Sequence, residues 1–154
     1  MAGYTTAFPT SAKAELPQAL HNYTATIGND FRIALGKASP TGTYDATTTN
    51  YTTLTGNSDE LPASGGYSTG GYDFTAANNI TPTTSGTTAF WSWNVNPSWT
   101  SATFSTAGCL IYNNTSGTRC VYVGSFGGTQ TVTAGTFTVV LPTNNSSSAI
   151  LRIT

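Results

Sequence analysis

The stretch from Gly108 to Phe126 constrains this chain more than any other. The run Gly108-Cys-Leu-Ile-Tyr112 and the run Arg119-Cys-Val-Tyr-Val-Gly-Ser-Phe126 flank the polar cluster Asn113-Asn-Thr-Ser-Gly-Thr118. Two stretches rich in β-branched and aromatic residues around such a cluster specify a β-hairpin. Gly117 can take positive φ, and Asn side chains bond to nearby backbone. The hairpin also holds both cysteines of the chain. If Tyr112 faces Gly117 across the turn, Cys109 faces Cys120. A register two residues longer leaves them diagonal on one face, and an odd shift puts them on opposite faces. The turn therefore decides whether Cys109 and Cys120 can form a disulfide, and several turns fit. In a reducing cytoplasm the default is two free thiols, and a bond could form later outside the cell.

The same punctuation runs through most of the chain. In Phe31-Arg-Ile-Ala-Leu35 the apolar residues Phe31, Ile33 and Leu35 share one face of a strand. Further strands are expected at Tyr72–Phe74, Ile80–Thr84, Thr87–Val95, Trp99–Thr106, Thr129–Thr133, Thr136–Leu141 and Ala149–Ile153. Gly127-Gly128 is expected to break the hairpin. Tyr44–Gly71 reads as extended loops with a helical turn near Asn57–Leu61. Thr10–Leu20 is the one helical stretch, capped by Thr10 or Ser11 and cut short by Pro17. Eight or nine short antiparallel strands, spaced by about 8–12 residues, indicate an all-β sandwich, jelly roll or barrel. The expected organisation is one domain: an N-terminal arm over residues 1–30 with a short helical segment, then a β-sandwich or jelly-roll-like body over residues 31–154.

Charge is scarce. Only 7% of the 154 residues are charged, against about 25% in ordinary domains. With 38% hydrophobic and 12% aromatic residues a core is still within reach. Threonine, roughly a fifth of the chain, makes a strand surface polar without charge. Net charge is −1, and the basic residues Lys13, Arg32, Lys37, Arg119 and Arg152 are scattered. They form no stripe that could neutralise phosphates, so no nucleic-acid partner is expected. Apolar runs fall far short of the roughly 18 residues a membrane helix needs, and the N-terminus does not read as a secretory signal. The sequons at Asn22, Asn50, Asn79 and Asn113 are what a threonine-rich chain yields by chance.

No arrangement of residues points to catalysis. The single histidine, His21, sits where a helix C-terminal cap would be. Asp59 and Glu60 are adjacent, and no pairing of the remaining acids is favoured. Calcium loop, zinc set and phosphate loop are all missing from the sequence. The expectation is therefore a non-enzyme with no catalytic residue, cofactor or metal. Trp91, Trp93 and Trp99 are the one constellation that could bind something, either as a platform for sugar rings or at an oligomer interface. The plainer reading is that they fill the core.

The whole pattern resembles small virion proteins of tailed bacteriophages. The residues that carry the resemblance are Phe31-Arg-Ile-Ala-Leu35, Gly70-Gly71-Tyr72, Thr83-Thr-Ser-Gly-Thr-Thr-Ala89, Pro97-Ser-Trp99, Ala107-Gly-Cys-Leu-Ile-Tyr-Asn113, Gly135-Thr-Phe-Thr-Val139 and Ala149-Ile-Leu-Arg-Ile153. Such proteins decorate the head as cement proteins, and some sit on tails or necks. The resemblance implies a structural protein on the capsid exterior, made in the host bacterial cytoplasm. It also implies the major capsid protein as partner, and a homo-oligomer, with a trimer suited to the local symmetry axes of a shell. It carries over no catalytic residue. Pro9 and Pro17 depart from the pattern and limit any regular helix in the arm. The contact surface is expected on Ala2–Leu20 and on the loops of Tyr44–Gly71.

Overall fold

A single long hairpin is the spine of the fold. In the computed structural model, which describes residues 1–74 and 81–154, β7 (Ser98–Asn113) pairs antiparallel with β8 (Arg119–Thr138). Where five separate strands were expected there are two. Gly127 and Gly128 do not break the hairpin; their positive φ values, 74° and 152°, let β8 bulge. The register passes from Thr106 opposite Gln130 to Gly108 opposite Ser125, so extra residues of β8 are absorbed as a bulge.

β2 (Phe31–Lys37) pairs with β7, and β4 (Tyr72–Asp73) pairs with β2, giving the order β4-β2-β7-β8. A smaller antiparallel sheet has the order β5-β6-β9, built from Thr83–Ser85, Thr88–Trp91 and Leu151–Ile153. In a third, two-stranded element, β1 (Gly3–Tyr4) runs parallel to β3 (Thr43–Tyr44). The fold is all-β and mostly antiparallel, with no closed barrel.

Both faces of the large sheet are covered. On one, Phe31, Ile33, Leu35, Cys109, Ile111 and Val121 join the main core with the three tryptophans. On the other, Ala34, Leu110, Cys120 and Val123 lie under Tyr44 and Leu54, with Tyr4 and Tyr51 packed against them. Central strands covered on both sides lose simple alternation, which is why Ala34 and Leu35 are both fully buried.

Among the described residues, helices are confined to two short pieces. α1 (Thr10–Glu15) follows Pro9 and stops at Leu16, because Pro17 cannot continue it. α2 (Thr52–Gly56) lies before the helical turn expected near Asn57–Leu61, and Asn57 is its C-cap. Asp59–Leu61 instead runs beside β2: the Lys37 amide donates to Asp59 and the Leu61 amide to Leu35. The expected strand Thr87–Val95 ends at Trp91, and Ser92 is buried, where its hydroxyl accepts from the Ile150 amide. The start of the expected strand Ile80–Thr84, and the sequon at Asn79, lie outside the described residues.

Candidate functional site

The N-terminal arm is tied to the large sheet at three levels. Tyr4 stacks on Tyr44 with ring centroids 5.1 Å apart. It lies directly over Gly36 and Gly108; a Cβ would come within 1.9 Å of its hydroxyl oxygen at Gly36 and within 2.3 Å of its ring at Gly108. Only glycine leaves room for the ring to lie flat on the strands. Ala7 then bridges to Val123 at the edge of β8. Last, Glu15, His21, Asn113 and Arg119 form a polar knot at the turn end of the hairpin.

The knot has defined donors. Asn113 Nδ2 donates to Leu20 O and Asn29 Oδ1, and its Oδ1 accepts from the Ser116 amide. The amide cannot flip without losing these bonds, so His21 Nδ1, 3.0 Å from Nδ2, must accept. His21 Nε2 therefore carries the proton and donates to Glu15 Oε2 at 2.7 Å. Glu15 Oε1 accepts from Arg119 Nη1 at 2.8 Å. Burial pushes the His21 pKa below its ordinary value; the hydrogen bond and charge of Glu15 oppose this, and Arg119 adds to it. His21 is thus a neutral, buried tie between arm and sheet. It does not cap α1, which ends several residues earlier.

The adjacent acids Asp59 and Glu60 fasten the loops of residues 44–71. Asp59 accepts from the Thr41 and Gly42 amides, the Thr41 hydroxyl and Tyr44 Oη. Burial raises its pKa, but the bonds from Tyr44, Thr41 and Gly42 outweigh that, and the net shift is downward. Glu60 accepts from Tyr51 Oη, Tyr67 Oη and the Gly70 amide. Both carboxylates act as hubs for backbone and phenol donors, which is structural chemistry. The sequence signal was two neighbouring acids in a chain that has only six. Their partners lie up to 18 residues away and could not be read from spacing.

Trp91, Trp93 and Trp99 are core residues, exposed by only 1, 2 and 6%. Trp91 meets Trp93 edge to face at 4.2 Å, Phe74 stacks on Trp93 at 4.7 Å, and Tyr23 lies 4.3 Å from Trp91. Their faces are covered by other rings, in line with the plainer reading that they fill the core, and none of the three offers an open face to a sugar ring or an oligomer partner. The strand ends at Trp91, and the turn that follows sends Trp93 into the same core as Trp91.

The thiols follow the default reading rather than the possible disulfide. Cys109 and Cys120 are free and buried. Asn113 pairs with Arg119 and Tyr112 with Cys120, and a register shift follows at Ile111, leaving Cys109 opposite Gly124. The two thiols belong to cores on opposite faces of the sheet. Burial pushes both up to about 12, so both stay protonated.

Among the described residues no three His, Cys, Asp or Glu side chains gather as a metal site, and no helix is long and apolar enough to cross a membrane. What faces solvent is the far half of the hairpin, where most residues from Thr129 to Thr138 are exposed. There is also an open cleft of about 410 Å³ between α1 and β9. No family model, curated protein or solved structure matches this chain.

Proposed function

We propose that this chain is a non-enzymatic structural protein of a tailed-phage virion, decorating the capsid by bridging neighbouring major capsid subunits. The fold suits a β-sandwich or jelly-roll-like body, since a second small sheet and an aromatic core lie on one face of the large one. One observation carries the reading. Three of the chain's six carboxylates, Glu15, Asp59 and Glu60, serve as hubs within the fold, while the threonine-rich, uncharged far half of the hairpin is turned outward. Uncharged surfaces can pack densely on a shell without mutual repulsion. A protein that binds only the assembled shell stabilises it in proportion to occupancy. The sequence resemblance adds the virion setting, the capsid exterior as location and a trimer as the favoured oligomer.

The test is copy number per particle, by quantitative mass spectrometry of purified virions. Hundreds of copies, comparable to the major shell protein, are expected. A handful to a few dozen would assign the chain to tail, neck or fibre instead. Absence from the particle would overturn both readings.

A further inference from the structure

We propose that the cleft between α1 and β9 is a docking groove for an extended acidic segment of another protein, which adds to β9 as a further strand. β9 is hydrogen-bonded to β6 on one side, and no strand among the described residues pairs with its other side. An edge with unpaired N–H and C=O groups is a template for one more strand. The cleft runs along the 150–154 segment and is closed on the far side by Phe8, Lys13 and Leu16. Its apolar lining includes Leu16, Leu151 and Ile153, and Ile153 is 55% exposed. Alternate side chains of an added strand would rest there.

Charge selects the occupant. Of five cationic residues, Arg32 and Arg119 are neutralised by Asp30, Asp73 and Glu15. Lys13 and Arg152 form no ion pair among the described residues; Arg152 Nη1 donates to the Ser147 carbonyl, which leaves its charge uncompensated, and both residues line this cleft, whose lining includes no Asp or Glu. An incoming carboxylate finds two cations there whose charge no carboxylate among the described residues balances. A second copy of this chain has little to offer them. Glu15, Asp30, Asp45, Asp59, Glu60 and Asp73 are each held by bonds within the fold. The occupant is therefore a different protein, with apolar and acidic residues alternating along an extended stretch. This does not depend on the virion reading and would hold for any partner that carries such a segment.

The probe is a fluorescein-labelled peptide, acetyl-Gly-Asp-Val-Thr-Val-Asp-Val-Gly-amide, with lysine replacing both aspartates in the control. Fluorescence polarisation should show binding of the acidic peptide and not of the lysine peptide. The double variant Lys13→Glu/Arg152→Glu alters side chains that no carboxylate holds, and should fold as the parent does while weakening binding about tenfold or more. Amide chemical-shift changes on titration should fall at residues 150–154 and 8–16. Equal affinity in the double variant, equal binding of the lysine peptide, or shifts centred on β8 would overturn the proposal. So would an absence of shifts at millimolar peptide. Since the readout is the isolated protein with a synthetic peptide, failure here leaves the copy-number test of the virion reading untouched.

Discussion

Asn113 Nδ2 faces His21 Nδ1 at 3.0 Å, and the other bonds of the amide fix it as the donor. This one contact sets the tautomer of the only histidine and gives the arm its dependence on pH. A proton on Nδ1 would set N–H against N–H with no acceptor between them. It would also leave the knot with two cations, His21 and Arg119, around the single carboxylate of Glu15.

Because the folded pKa of His21 lies below its unfolded value near 6.5, the unfolded chain takes up a proton first as pH falls. Stability should therefore be level above pH about 6.5 and decline below it, towards the lower folded pKa. Urea melts at a series of pH values should show the decline in the parent and a flatter profile in His21→Gln. A parent profile with no slope between about pH 5 and 6.5 would contradict the buried neutral assignment.

Asp59 behaves in the opposite sense. Its folded pKa lies below the ordinary carboxylate value, so its contribution is present above about pH 4 and fades as pH falls through the folded pKa. Asp59→Asn keeps the shape but cannot accept from all of the Thr41, Gly42 and Tyr44 donors. It should cost about 1–3 kcal/mol at neutral pH, measured by denaturant unfolding, and the gap to the parent should narrow towards pH 3.

How much of this could be read from the chain differs by region. The Phe31–Leu35 strand, the turn at Gly117 and the stop at Pro17 rest on local chemistry, and each is where the residues put it. Gly127-Gly128 misled, because positive φ serves a bulge as well as a break, and only the partner strand decides which. The cysteine pairing turned on the register set at the turn, Asn113 opposite Arg119 and Tyr112 opposite Cys120, which the apolar pattern on a sheet buried on both faces does not fix. Among the candidate sites, the tryptophans were legible as core-filling anchors, though not where their strand stops. The period-two reading ran past the true end of β6. The knot at Asn113 joins residues distant in sequence and no local pattern marks it; the adjacent acids Asp59 and Glu60 were visible, but not their partners.

Trp91→Ala should cost about 3–5 kcal/mol, since it empties the centre of an aromatic cluster that includes Tyr23, Phe31 and Trp93. Tryptophan emission of the parent should stay blue-shifted and unmoved by a panel of glycans. A sugar-dependent shift would mean that a ring face is open.

The intact mass should be the same with and without reductant, and a thiol reagent should label Cys109 and Cys120 only under denaturing conditions. A non-reduced mass lower by two hydrogens would mean that the hairpin adopts another register.

The contacts of the arm also bear on how the chain is made. Ala7 is held by Val123, and Glu15 by Arg119, so the segment the ribosome makes early finds its seats more than a hundred residues later. Until the hairpin has left the exit tunnel, Tyr4 can stack on Tyr44, bond to Lys37 and rest on Gly36, but Ala7 and Glu15 lack their seats on β8, and the helix of six residues is too short to hold by itself. Completion of the hairpin is then the event that gathers the beginning of the chain, and a pause in translation before that point would leave the arm waiting, open to proteases and to chaperones.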